Sequence, residues 1–233
     1  MNILITGASR GIGAAAYALL KSTGHNVVGH STRGSDELVA GDLVDPAAPA
    51  RIWEAALSRL GGRIDALVNN AGIYEGVADS AEDEEWHAAW QRTLTINLQS
   101  AADLSRLAVA HFREREGGRI VNVASRAAFR GDSPQHWHYS ASKAAMVGMT
   151  RTIARGYAAQ GILCFAVAPG FTVSEMTEEY LAGRGGVAIV ADIPLGRVAS
   201  TDEVAEVIRW LATEAPASAT GSVVDVNGAS YVR

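Results

Sequence analysis

Short runs of Ile, Val and Leu alternate along the chain with longer alanine-rich stretches of helical character. The runs fall at residues 2–6, 26–31, 37–42, 66–69, 119–124, 163–167 and 222–226, and read as seven strands of one sheet. Helical stretches lie between them at 14–22, 46–60, 84–97, 98–116, 139–160 and 201–213. The last opens on Ser200-Thr201-Asp202-Glu203, a spacing that lets the serine and the glutamate cap the helix start reciprocally. Strand followed by helix, repeated, predicts an α/β chain with a parallel, doubly wound sheet covered by helices on both faces. One connection breaks the rhythm. From Ser31 to Glu37 there are too few residues for the roughly ten or more that a helical crossover between parallel strands requires. The second crossover helix is therefore expected to be missing. A bare loop around 32–36 should leave an edge strand poorly covered and the adjoining pocket open.

The 233 residues suit one α/β domain spanning 1–233, with no linker or repeat to divide it. Hydrophobic residues make up 48% and charged residues 19%, which excludes a disordered chain. Twenty basic against 25 acidic residues give a net charge of -5 without long runs of one sign, so the footprint of a nucleic-acid surface is missing. The single cysteine, Cys164, rules out an internal disulfide framework, and no Cys/His spacing predicts a metal site. The chain enters Ile3-Leu4-Ile5 without a charged-then-apolar leader, and no apolar run approaches the ~18 residues of a spanning helix. The expectation is a cytoplasmic protein without membrane or nucleic-acid partners.

Directly after the first strand comes Thr6-Gly7-Ala8-Ser9-Arg10-Gly11-Ile12-Gly13, leading into a helix. Glycines at such a turn let the backbone approach a pyrophosphate closely, while the free N–H groups of the helix start attract it. Gly7, Ser9, Arg10, Gly11, Ile12 and Gly13 are thus candidate coenzyme contacts. NAD-binding units of this kind normally end the second strand on a carboxylate that holds the adenosine ribose. Here that end reads His30-Ser31-Thr32-Arg33, with no carboxylate before Asp36. Arg33, and Arg10 within the turn, could pair with a 2′-phosphate through the guanidinium fork. NADP(H) is the expected coenzyme, with Ser31, Thr32 and Arg33 around its phosphate; NAD(H) stays open through Asp36.

Tyr139 and Lys143 stand four residues apart on an expected helix and so share a face. Lys21 and Lys143 are the only lysines, against 18 arginines, so a compact ammonium at 143 stands out. A phenol titrating near 10 needs a lowered pKa to act as acid or base near neutrality, and a fixed cation beside it would do this.

Together these segments resemble the short-chain dehydrogenase/reductase family over nearly the whole chain. Thr6-Gly7-x-x-x-Gly11-x-Gly13, Asn69-Asn70-Ala71-Gly72, Asn97, Ser125, Tyr139-x-x-x-Lys143 and Pro169-Gly170 occur in the family's order. Segments 118–123, 167–171 and 194–198 are similar to the 3-oxoacyl-[acyl-carrier-protein] reductase branch. The resemblance implies a single Rossmann-like domain and hydride transfer between NADPH and a carbonyl or secondary alcohol. Within it, Tyr139 would be the general acid or base, Lys143 would lower its pKa and hold the nicotinamide ribose, and Ser125 would polarise the substrate oxygen. Asn97 would kink its helix and position a water that links Lys143 to solvent. Asn70, Ala71 and Gly72 would lie along the adenosine half, Asp42 and Leu43 at the adenine, and Pro169, Gly170, Thr172 and Ser174 at the nicotinamide and phosphates. Ser174 stands where the family usually has threonine.

The resemblance also implies a substrate lid over 171–195, containing Gly183, Gly185 and Gly186, and a homotetramer or dimer built on 98–116 and 139–160. Leu104, Leu107, Ala108 and Phe112 suit such an interface and equally suit burial within a monomer. Between Ser125 and Tyr139 the chain is one residue longer than that branch, and Gln135-His136-Trp137-His138 brings in bulky rings. Trp137, with Ser125, Tyr139 and Phe171, is placed in the substrate pocket, and the two histidines are expected as solvated loop residues. Three functions follow: an NADPH-dependent carbonyl reductase, with a 3-oxoacyl thioester as candidate substrate; an NAD-dependent dehydrogenase of a cyclic alcohol or diol; or a coenzyme-binding regulatory protein without turnover.

Overall fold

A computed structural model of the chain describes residues 1–172, 188 and 190–232. Seven strands, β1 (Asn2–Ile5), β2 (Asn26–Ser31), β3 (Leu38–Ala40), β4 (Ala66–Asn69), β5 (Gly118–Val123), β6 (Ile162–Pro169) and β7 (Val223–Val226), form one sheet in the order β3-β2-β1-β4-β5-β6-β7. Every neighbouring pair is parallel. The order reverses between β1 and β4, so the crevice beyond their C-terminal ends is where such a sheet binds ligands.

Alternate side chains of each strand go to opposite faces. Leu4, Leu67 and Ile120 pack under α2 (Ala48–Arg59), α4 (Ser100–Arg113) and α6 (Trp137–Tyr157), with Ile52, Leu104, Phe112 and Ile153 from those helices. Ile3, Ile5, Val68 and Val121 pack on the other face under α1 (Gly11–Ser22) and, near the C-terminus, α7 (Thr201–Thr213), with Leu20, Val204, Ile208 and Leu211. Two further helices, α3 (Asp83–Leu94) and the short α5 (Ala127–Arg130), flank the crevice. Burial of this kind is worth ~25 cal/mol per Å² of apolar surface, which makes these two layers the main stabilising contribution. Among the described residues no helix is long and apolar enough to cross a membrane.

The capping box forms as its spacing implies. Ser200 Oγ accepts from Glu203 N at 3.1 Å and Glu203 Oε2 accepts from Ser200 N at 2.8 Å. Arg197 grips the same carboxylate at 2.8 and 2.9 Å, and together these hold Glu203 down to a pKa of about 2.

Between β2 and β3 there is no helix, and β3 is shorter than the expected 37–42 because it pairs only with Gly29, His30 and Ser31. The hydroxyls of Ser31 and Ser35 hold the tight loop by accepting from the backbone N–H groups of Gly34, Glu37 and Leu38 at 3.0 to 3.3 Å. Gly34 turns there at φ +69°, with the Cα and Cβ of Ala40 too close for a side chain. In place of a covering helix, Tyr17 of α1 reaches over Leu38 and Gly29.

Leu104, Ala108 and Phe112 are fully buried beneath the sheet, with Leu107 against them. The apolarity of the three buried residues is spent on the subunit's own core, the second of the two roles open to them, while Leu107 stays partly exposed. The register that faces Asn69 with Asn122 also builds a polar chain into this layer. Asn69 Nδ2 donates to Asn122 Oδ1 (2.8 Å) and Ser105 Oγ (3.1 Å), and Asn122 Nδ2 donates to Thr150 Oγ1 (2.9 Å), which ties β4 and β5 to α4 and α6.

Candidate active site

A cavity of about 500 Å³ opens at the C-terminal ends of β1, β4, β5 and β6. At its β1 end the chain passes straight from strand to α1 through the glycine turn. Gly7 lies at φ +68°, and a Cβ on Gly13 would sit 2.0 Å from the Gly7 carbonyl oxygen, so the turn closes only with glycine at both places. α1 starts without a side-chain cap and with no acidic residue in its first turn, which leaves its N–H groups and dipole directed at the cavity. That trough fits a dinucleotide pyrophosphate.

The turn is fastened from β4. Thr6 Oγ1 accepts from the backbone N–H groups of Asn70 and Ala71 at 3.1 and 3.0 Å. Asn70 Nδ2 in turn donates to the carbonyls of Thr6 and Gly7 at 2.9 and 3.0 Å. His30, at the end of β2, carries its proton on Nε2 and donates it to Gly41 O at 2.8 Å. Its Nδ1 faces the Gly7 N–H, and burial keeps the ring neutral.

Further along the sheet, Ser125 follows β5, and Tyr139 and Lys143 enter from α6. Lys143 is almost wholly enclosed; its ammonium donates to Val123 O at 2.8 Å, and desolvation lowers its pKa to about 8. The Tyr139 phenol is pushed up to about 12 by burial, with the neighbouring Ser125 hydroxyl opposing the rise. A phenol lowered by the adjacent lysine is therefore not what this structure has. The ammonium stands 5.8 Å from the Tyr139 ring centre and spends its hydrogen bond on the β5 carbonyl.

Asn97 lies beneath the cavity wall, within a π-helical turn (Thr95–Gln99) that joins α3 to α4. Its side chain holds both backbone groups of Ile73, accepting from N at 2.8 Å and donating to O at 3.0 Å. Gly72 passes close to both Asn97 Oδ1 and Lys143 Nζ, near enough that a Cβ there would be 3.3 and 3.4 Å away.

Most of the expected residues share this one cavity. Its wall includes Gly7, Ser9, Arg10, Gly11, Ile12, Gly13, Ser31, Thr32, Asp42, Leu43, Asn70, Ala71, Gly72, Ser125, Tyr139, Lys143, Pro169, Gly170, Phe171 and Thr172. Arg33 does not line it; like Asp36, it sits exposed on the β2–β3 loop. Ser174 and the three lid glycines lie outside the described residues.

Trp137 also stands away from the cavity. It is half exposed, edge-on to Trp86 of α3 with ring centres 5.4 Å apart, because α6 begins at this residue and turns it outward. Nor are the two histidines free in solvent, although His136 is partly exposed. His138 is fully buried beside Trp90, and His136 stacks flat on Tyr74 at 3.9 Å, with Ser133 Oγ at its Nδ1. The longer loop uses its rings to dock on residues 74–77, where Val77 N also donates to Gln135 O at 3.0 Å. Through that docking Tyr74 meets Tyr139 edge-on, with ring centres 4.8 Å apart, and donates to Asp132 at 2.9 Å.

His30, Tyr74, Glu75, Arg92, Arg126 and Asp132, with the apolar Ile73, Ile96, Val123 and Ala124, complete the wall without having been singled out in the sequence. Arg126 and Tyr74 had one available signal: each lies one or two positions beyond a motif residue, Ser125 and Gly72 respectively.

The sequence profile of short chain dehydrogenases matches residues 1–185. The 3-oxoacyl-[acyl-carrier-protein] reductase FabG of Escherichia coli is 34% identical, covering 98% of this chain and 96% of its own length. The FabG of Thermotoga maritima is also 34% identical, at 97% and 95% coverage. An acetoacetyl-CoA reductase of Shinella zoogloeoides is 32% identical, at 98% and 97%. With a site of this geometry at the switch point of a Rossmann-like sheet, and with matches spanning nearly its full length, the chain belongs to the short-chain dehydrogenase/reductase family and is an oxidoreductase of the alcohol–carbonyl couple.

Proposed function

We propose that the protein reduces a carbonyl compound at the expense of NADPH, with Ser125, Tyr139, Lys143 and Asn97 as its working group and a 3-oxoacyl thioester as the first candidate substrate. The observation that carries this is the convergence of Ser125, Tyr139 and Lys143 on the cavity whose other end is the glycine turn. A nicotinamide coenzyme bound along that wall supplies hydride to the carbonyl carbon. Gly7, Gly11 and Gly13 admit the pyrophosphate, while Arg10, Ser31 and Thr32 meet the adenosine ribose and its phosphate. Preference for NADPH draws on Arg10, which lines the cavity, and on the lack of a carboxylate at the end of β2; Arg33 stands exposed on the loop next to Thr32, outside the cavity lining.

Ser125 donates to the substrate oxygen, where negative charge develops during reduction. Tyr139, with its pKa near 12, is protonated at neutral pH and can deliver its proton to that oxygen. Lys143 supplies a positive charge beside it and a donor for ribose hydroxyls. Asn97 is a positioning residue: by fixing Ile73 it sets the wall that faces Lys143. The reductase names of the relatives favour the thioester. A cyclic alcohol or diol would gain from a ring such as Trp137 stacked in the pocket, and that residue stands outside the cavity.

The test is the initial rate of NADPH and NADH oxidation with an acetoacetyl thioester and with simple and cyclic ketones. Tyr139→Phe should abolish turnover by a factor of about 10² or more while leaving coenzyme binding intact. Turnover that survives this substitution would refute the assignment.

A further inference from the structure

Arg126 stands next to Ser125, and its backbone N–H is fixed by Pro169 O at 2.9 Å. Its side chain is about nine-tenths buried in the cavity wall, with the guanidinium 4.9 Å over the Phe171 ring. Nη1 is enclosed and has no hydrogen-bond partner among the described residues. The nearest carboxylate, Asp192, is 3.9 Å away and is already held by Arg130 at 2.6 Å. Asp132, also on the wall, accepts from the Tyr74 hydroxyl and from Ser133 N. Two guanidiniums thus share one exposed carboxylate, and the buried one has the unmet donor. Arginine cannot shed its proton to escape this, and an uncompensated charge in a protein wall is costly. The arrangement makes sense where the opposite charge arrives with a ligand.

That ligand is not the coenzyme phosphate, which belongs at the turn after β1, two strands from β5 in the sheet order. We propose that Arg126 is a specificity-determining residue that receives a carboxylate on the substrate, so that the enzyme acts on oxo acids, or the corresponding hydroxy acids, in preference to their uncharged counterparts. Planar, two-pronged donors match a carboxylate, and the Phe171 ring lies against the guanidinium at 4.9 Å. The proposal rests on the assignment of Ser125 and Tyr139 to hydride transfer and puts an oxo acid in place of the neutral 3-oxoacyl thioester as substrate.

The experiment compares 2-, 3- and 4-oxo acids with their methyl esters under NADPH and NADH. It uses the wild type, Arg126→Gln, Arg126→Lys and Asp192→Asn, with coenzyme binding followed by fluorescence in each. For at least one chain length the acid should exceed its ester in kcat/KM by roughly tenfold to a hundredfold. Arg126→Gln should remove that preference through KM, with coenzyme affinity unchanged. Arg126→Lys should restore part of it. Asp192→Asn should increase it, because the competing carboxylate is neutralised, an effect a purely structural arginine would not produce.

A second readout does not need turnover. The saturated acid should bind the coenzyme-loaded Tyr139→Phe protein, and this binding should vanish in the Tyr139→Phe/Arg126→Gln double variant. Esters or thioesters reduced as well as acids, with Arg126→Gln leaving the ratio unchanged, would overturn the anion site while sparing the oxidoreductase assignment. Bound coenzyme without oxidation by any compound in the panel would overturn both.

Discussion

Lys143 is a cation that folding takes out of water with one carbonyl for a partner. Its pKa falls from 10.5 to about 8, so the folded state disfavours the charged form. Below pH 8 folded and unfolded chains both carry the proton, and the cost of burying it is felt in full. Between 8 and 10.5 the folded chain loses its proton first, and stability rises by up to about 3 kcal/mol. Denaturation from pH 7.5 to 10 should show that rise in the wild type, whereas Lys143→Met should lack it and should be the more stable protein at neutral pH. A residue kept at such a cost is explained by what its charge does in the site.

At the scale of elements, the π-helical turn between α3 and α4 decides where the cavity wall stands. An ordinary turn would keep Asn97 in the repeat of a single long helix; the wider turn releases it to bond Ile73 on both sides. Asn97→Ala leaves a half-buried N–H and C=O of Ile73 without partners. Each such loss costs ~1–3 kcal/mol, and for a chain of this size 1 kcal/mol moves Tm by ~2–4 °C. A fall of several degrees is expected in calorimetry, together with a loss in kcat that exceeds any change in coenzyme Kd. An unchanged Tm would mean that the clamp is not formed in solution. The loop 131–136 makes a comparable decision at the next residue, since its stacking on Tyr74 brings that ring against Tyr139.

For the whole molecule, the coenzyme trough joins the first strand, the end of β2 and the end of β4, so its ligand braces elements distant in sequence. A ligand bound only by the folded state stabilises it by ~2.7 kcal/mol at a hundred times its Kd. NADPH should therefore raise Tm by roughly 5–10 °C at that concentration. NADH should do so at a higher concentration if Arg10 recognises the extra phosphate. Equal shifts at equal concentration would remove the argument for NADP.

The sequence by itself determined the sheet, the missing helix after β2, the glycine turn and the spacing of Tyr139 to Lys143. Each depends on residues close together in the chain: apolar runs, a loop too short for a crossover, a turn that no side chain fits, one helical turn on α6. Element ends were less legible. β3 and α6 depart from their expected limits because pairing and packing with other segments set them, and π-helical geometry has no local signature strong enough to read. Which ordinary residues face the cavity was decided only by the tertiary structure. Arg126 and Arg33 are both arginines next to hydroxyl-bearing segments, yet one is buried in the wall and the other exposed on a loop. Trp137 leaves the pocket that its position suggested and Tyr74, which had no suggested role, stands there instead, because the start of α6 turns the first outward and the docked loop holds the second against Tyr139. Contacts of this kind join residues 50 or more apart, as in Tyr74 with Asp132, and their energy exists only once the sheet order has brought the strand ends together.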